Sequence, residues 1–326
     1  MDSFRNQPNL PIDVLKKQVK AKWNVDAHED NVGSCLILMV ERPMPEVPCR
    51  FQRLYVSFAA MKTGFLQGCR PVIGVDACFS KGRYKGQLMT AVGRDANNSM
   101  YPLSIVGLVP SLEQVCPTAE HRTCVRHLYA NFRSAGHKGL LLKDLLWTAA
   151  SSYTQTDFHY AMEEMKKVSE PAYDYLAKND PSTWCRGCFN TMAKSDLVHN
   201  NCVECFNSWI LKYRQLTIMS MLEGIRNKLM RRYVRKRELI AAMEDGSLGP
   251  KIMAKLEKEE DGASHCWCTY AGEGIFKVEC EGKRVAVSVE GRTCGCRKWD
   301  VTGIPCSHAI SAILYHGGNP IDYLSD

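Results

Sequence analysis

The sequence predicts an α+β / α/β fold that ends in a small ββα metal-binding unit, and three observations predict it. Three β-type runs lie close together at Val72–Phe79, Leu88–Gly93 and Tyr101–Leu108. From about residue 111 to 245 the apolar spacing becomes helical. Near the C-terminus, Cys294-x-Cys296 is followed, after nine residues, by Cys306-x-His308. Three thiolates and one imidazole complete a tetrahedral zinc shell and leave no open position, so the site reads as structural rather than catalytic.

In chain order, residues 11–23 read as an amphipathic helix, with Ile12, Leu15, Val19 and Trp23 on one face. Residues 30–70 read as irregular, because Pro43, Pro45 and Pro48 are closely spaced; the apolar run Cys35–Val40 is strand-sized. The three β-type runs have Gly82, Gly86 and Asn97-Asn98 between them and read as an antiparallel meander joined by short loops. Among the helices, Leu141, Leu145, Leu146 and Ala149 share a face, and Phe158, Met162 and Met165 mark another helix with Asp157 as its N-cap. Residues 203–214 and 217–245 give two more, the second with a stripe of Ile218, Leu222, Ile225, Leu229 and Tyr233. Lys251–Asp261 reads as a charged linker. Strands Ile275–Glu279 and Val285–Val289 precede the ligands, His265–Cys268 reads as strand, and a helix runs from Ser307 to about Tyr315, where Gly317-Gly318 stops it.

Composition bounds the function. The 326 residues carry a net charge of +7, which suits a polyanionic partner, and 16 cysteines with no secretory leader, which favours reduced thiols and metal ligands over disulfides. No apolar run is long enough to span a membrane, and no small-molecule substrate is evident. Alternate residues of an extended turn point the same way, so Cys294 and Cys296 can face one ion, while Pro305 favours a helix start that brings Cys306 and His308 to the same point. With few apolar residues around it, this unit should draw most of its folding energy from the metal.

The stretch Cys294-Gly-Cys-Arg-Lys-Trp-Asp-Val-Thr-Gly-Ile-Pro-Cys-Ser-His308 resembles the SWIM zinc finger. That family implies zinc binding and contact with DNA or protein. Upstream, Pro71-Val-Ile-Gly-Val-Asp76-Ala-Cys-Phe79, Cys124-Val-Arg-His127 and Asn200-Asn-Cys-Val-Glu204-Cys-Phe-Asn-Ser-Trp-Ile210 resemble plant Mutator-like element transposases. The resemblance implies an RNase H-like, integrase-type core with a helical insertion. It also implies catalytic carboxylates at Asp76 and Glu204 that would hold Mg²⁺ for strand cleavage and transfer. The chain departs from that pattern: Pro102–Val106 joins directly to Gly107–Leu112, and no carboxylate lies between Asp95 and Glu113. The second catalytic Asp and its strand are missing, which predicts a truncated core, vestigial catalytic residues and impaired catalysis; an intact, active transposase is the alternative.

On this reading the chain divides into an N-terminal segment (1–70), a partial transposase core (71–135), a helical region (136–250) and the finger (262–326). Cys124 and His127, one helical turn apart, are further candidate metal ligands. Cys185-x-x-Cys188 and Cys202-x-x-Cys205 have ribbon-type spacing, although buried free thiols are the commoner outcome. Arg231, Arg232, Arg235, Lys236 and Arg237, with Arg226 and Lys228, make a basic run that is either a solvated face or a phosphate-contacting surface. The same run reads as a nuclear localisation signal, so a nucleus-located DNA-binding protein is expected, with protein partners docking on the finger as a further expectation.

Overall fold

A computed structural model describes residues 34–41, 50–81, 86–106, 119–244 and 246–325. In chain order the elements are β1 (Cys35–Glu41), β2 (Arg50–Ser57), α1 (Ala59–Gly68), β3 (Cys69–Phe79), β4 (Gln87–Asp95), β5 (Met100–Val106), α2 (Val125–Ser134), α3 (Leu140–Ser151), α4 (Gln155–Val168), α5 (Glu170–Ala177), α6 (Asn201–Trp209), α7 (Ile218–Ala241), α8 (Pro250–Ala263), β6 (Cys266–Gly272), β7 (Ile275–Cys280), β8 (Lys283–Ser288), β9 (Thr293–Cys294), α9 (Lys298–Thr302) and α10 (Ser307–Tyr315). They form two compact units. One combines the described part of Met1–Pro117 with Asn201–Ser247, and the other combines Thr118–Asn200 with Leu248–Asp326. The amphipathic helix expected at 11–23 lies outside the described residues, as does the join after Val106.

The first unit is a five-stranded antiparallel sheet in the order β1-β2-β5-β4-β3, covered by α6 and α7. The expected meander is β3-β4-β5. Asp95 accepts from the Asn98 amide in the β4–β5 turn, where Asn98 takes a left-handed φ of 52°, a conformation asparagine tolerates. The described residues among 34–70 are not irregular as expected. β1 pairs with β2 and α1 follows, because the prolines fall between the strands rather than within them. Alternation along β4 turns Leu88, Thr90 and Val92 to one face, and the core there is closed by Cys78, Val203, Phe206, Ile210, Met221, Ile225 and Leu229. The α7 stripe predicted from spacing is the buried face: Leu222, Ile225 and Leu229 are buried, and Ile218 and Tyr233 pack beside them. Among the described residues β3 is the terminal strand of its sheet, and it leaves Ile73 and Phe79 exposed.

The second unit has a helical core and a C-terminal core, with a further apolar cluster beside them. In the helical core, Val125, Leu128 and Phe132 of α2 pack with Leu146, Ala149, Phe158, Met162, Met165, Leu176 and Trp184. Leu141, expected on the buried face of α3, is 58% exposed. Thr154 rather than Asp157 is the N-cap of α4, and its hydroxyl accepts from the Asp157 amide. The two ends of the helical segment are clamped together, with the Val125 amide donating to the Val198 carbonyl (2.7 Å) and the Asn200 amide donating to Cys124 Sγ (3.3 Å). The other core is the C-terminal finger, a four-stranded sheet β6-β7-β8-β9 closed by α10. Residues 251–261, expected as a linker, are helix α8; its Ile252, Leu256 and Ala263 pack with Ile304 and Ile310.

Candidate metal centre

The four ligands come from two local structures. Cys294 ends β9, which pairs with β8 at Val287, and the Gly295 amide extends that ladder by donating to the Ala286 carbonyl. The chain then turns at Arg297, in a left-handed φ of 60°, with its amide donating to the Cys294 carbonyl. Asp300 closes the knuckle by accepting from the Cys294 amide at 3.0 Å. Cys306 is the N-cap of α10, and His308 lies in its first turn, as Pro305 suggested.

The ligand atoms of Cys294, Cys296, Cys306 and His308 all lie within 4.8 Å of one another. Cys296 Sγ is 3.5 Å from Cys306 Sγ, and Cys306 Sγ is 3.9 Å from His308 Nδ1. A tetrahedral shell with Zn–S bonds of about 2.3 Å puts its sulfurs about 3.8 Å apart, so these residues fit zinc. The thiols also shift one another's titration. Cys294 is pushed up to about 12 by donating its proton to Cys296, and Cys306 is raised by sharing with Cys294 and Cys296. Cys296 is lowered because it accepts from both. Zinc ligands bind as thiolates, so a dication would draw the charge of all three thiols. Around the ligands, Phe276, Val278, Val287, Trp299, Ala309 and Ile313 are buried, so the site is walled from solvent on its core side.

No other described group of three or more Cys, His, Asp or Glu converges in this way. Cys124 is the N-cap of α2 and accepts from the Asn200 amide, His127 is exposed, and no third ligand joins them among the described residues. Cys185 is buried, donates to the Ser152 carbonyl and is pushed up to about 12 by that burial; Cys202 accepts from Arg94 Nε, and Cys205 is exposed. The two Cys-x-x-Cys pairs fall in different units.

Asp76 lies on the terminal strand β3, opposite Thr90 of β4. Its Oδ2 accepts from Asn207 Nδ2 (3.2 Å), and Asn207 Oδ1 accepts from the Thr90 hydroxyl (3.2 Å). Glu204 stands one turn before Asn207 on α6. Asp76 and Glu204 belong to no three-ligand group among the described residues. Glu120, the nearest described carboxylate after β5 in sequence, is paired with Arg122 at 3.0 Å.

In the basic run, Arg226 pairs with Glu223, Lys228 donates to the Trp209 carbonyl, Arg232 donates to the Met100 carbonyl and Lys236 pairs with Asp95. Arg231, Arg235 and Arg237 are exposed. Sequence reasoning missed Asp300, Asn207 and Glu259, which are polar residues embedded in charged or ordinary helical stretches and give no spacing signal. No described helix is long and apolar enough to cross a membrane.

No curated protein and no solved structure matches the chain. Residues 276–317, which carry all four ligands, match the family model of the SWIM zinc finger.

Proposed function

We propose that this chain is a zinc-binding protein of Mutator-like transposase descent that contacts DNA and does not cleave it. The observation that carries the zinc reading is the convergence of Cys294, Cys296, Cys306 and His308 inside the SWIM match. The chain should take up one zinc, lost in Cys306→Ser; metal analysis of purified protein that finds none in the wild type sinks the reading.

Impaired catalysis is supported by the surroundings of Asp76. A two-metal site needs several carboxylates around its ions, whereas Asp76 is held by the Asn207 amide on a terminal strand. Mg²⁺ enters only if Asp76 and Glu204 still act. A Mg²⁺-dependent cleavage and strand-transfer assay tests this: activity that disappears in Asp76→Ala identifies an active transposase instead. DNA contact is supported by the exposed Arg231, Arg235 and Arg237 of α7, which would give salt-dependent, sequence-tolerant affinity. The same residues support nuclear import. Replacing all three by alanine should flatten the salt dependence of DNA binding.

A protein-docking role for the finger is favoured by one observation: Trp267 is 81% exposed on β6, and Leu314 and Tyr315 of α10 are exposed as well. Absence of DNA binding at low salt selects this reading.

A further inference from the structure

An N-terminal helix turn leaves backbone amides without partners, and a side chain at the N-cap usually accepts from one of them. In α10 the N-cap is Cys306, and its side chain makes no capping hydrogen bond. Its thiol is turned to the other ligands instead. The capping acceptor comes from another helix. Glu259 of α8 is 9% exposed, and its Oε2 accepts from both the backbone amide and the hydroxyl of Ser307, each at 3.1 Å. Its Oε1 is paired with Lys298 Nζ.

The partners are placed tellingly in the chain. Ser307 lies between Cys306 and His308, and Lys298 lies two residues after Cys296. One buried carboxylate therefore joins the two segments that carry the ligands. A carboxylate this close to a thiolate-rich centre would repel it, and the Lys298 ammonium offsets that charge. The approach of α8 is specific as well. Gly262, one turn after Glu259, faces Ser307 so closely that a Cβ there would lie 2.4 Å from Ser307 Oγ. Below this contact, Ile252, Leu256 and Ala263 of α8 pack on Ile304 and Ile310.

We infer that Glu259 is a positioning residue of the metal centre, capping α10 in place of the ligand Cys306 and holding the two ligand segments together, so that the zinc-binding unit begins at α8 rather than at the start of the matched segment. This rests on the zinc reading above. The orienting groups behind metal ligands typically set affinity by 10–100-fold.

The test uses the full chain and compares wild type with Glu259→Ala, Glu259→Gln and Glu260→Ala, the last an exposed neighbour on the same helix. Zinc affinity is read by chelator competition, and ligand geometry by the absorption bands of the cobalt-substituted protein. Glu259→Ala should weaken zinc binding by about 10–100-fold and shift the cobalt bands. Glu259→Gln, which keeps an oxygen for Ser307 but loses the Lys298 pair, should fall between Glu259→Ala and wild type, and Glu260→Ala should match wild type. If Glu259→Ala fails to fold, Glu259→Gln decides. Unchanged affinity and cobalt bands overturn the inference, as does a lower melting temperature shared by the zinc-free and zinc-loaded forms with affinity intact. Wild type that binds no zinc removes the zinc reading itself.

Discussion

Replacing Arg297 by glycine sets two effects against each other. Arg297 sits in the left-handed region at φ 60°, where a non-glycine residue is strained by about 1–2 kcal/mol. Glycine relieves that strain but loses more backbone entropy on folding, by about 0.5–1 kcal/mol, so the conformational gain is at most about 1.5 kcal/mol. Against it stand two contacts: Nη1 donates to the Gly187 carbonyl at 2.5 Å, and Nη2 donates to the Phe189 carbonyl at 3.2 Å. Hydrogen bonds from a charged donor contribute about 1.5–3 kcal/mol each, and the low end suits a half-buried side chain. The contacts win, and Arg297→Gly should destabilise the second unit by about 1.5–3 kcal/mol. With a urea slope of about 2 kcal/mol/M, the midpoint falls by about 0.8–1.5 M. The assay is urea unfolding of the zinc-loaded protein followed by tryptophan fluorescence, since Trp184 and Trp299 are both buried in this unit. Arg297→Ala, which keeps the strain and loses the contacts, should be no more stable than Arg297→Gly. An Arg297→Gly midpoint at or above wild type refutes the reasoning, because strain would then outweigh the contacts.

Two other outcomes follow from the packing and the charges. Glycine-to-alanine in a helix interior ordinarily stabilises by about 1 kcal/mol, yet a Cβ at Gly224 of α7 would lie 2.3 Å from the Tyr213 ring. Overpacking costs about 1–3 kcal/mol, so Gly224→Ala should lower the urea midpoint, and a raised one contradicts the placement of Tyr213. Burial alone would push the Asp196 carboxyl up, but Arg186, Lys255 and the Tyr153 hydroxyl together hold it below its usual 3.8. A carboxyl depressed on folding stabilises the protein above its unfolded pKa and loses that contribution as pH falls through the folded one. Wild-type stability should therefore drop below about pH 4 more steeply than that of Asp196→Asn, measured as urea midpoints across that range; equal slopes count against it.

The finger was the most legible part of the sequence, because metal spacing and β alternation leave local marks. β7, β8 and α10 appear close to their expected bounds, and the ligands converge as their spacing implied. The β3-β4-β5 meander was legible for the same reason. Helix α8 was not: Lys251, Lys255, Glu257, Lys258, Glu260 and Asp261 conceal a buried stripe whose apolar members are Ile252, Leu256 and Ala263. β1, β2 and α1 were hidden by three prolines that punctuate the region without breaking its strands. The capping by Glu259 and the closing of the knuckle by Asp300 are tertiary facts. A glutamate in a charged helix looks the same whether it faces water or another helix's amides.

The clamp between Val125 and Val198 has a consequence for how the chain assembles. The first unit is discontinuous: Thr90 of β4 and Asn207 of α6 are bonded across 117 residues. During synthesis the sheet would wait for its helical cover while the intervening segment emerges. If that segment folds first, its clamped ends act as a shortcut, reducing the loop to be closed to about 40 residues and the closure cost by about 1 kcal/mol. The inserted segment would then serve as a folding aid to the sheet it interrupts in sequence, and damage to its core would show first as slower assembly of the other unit.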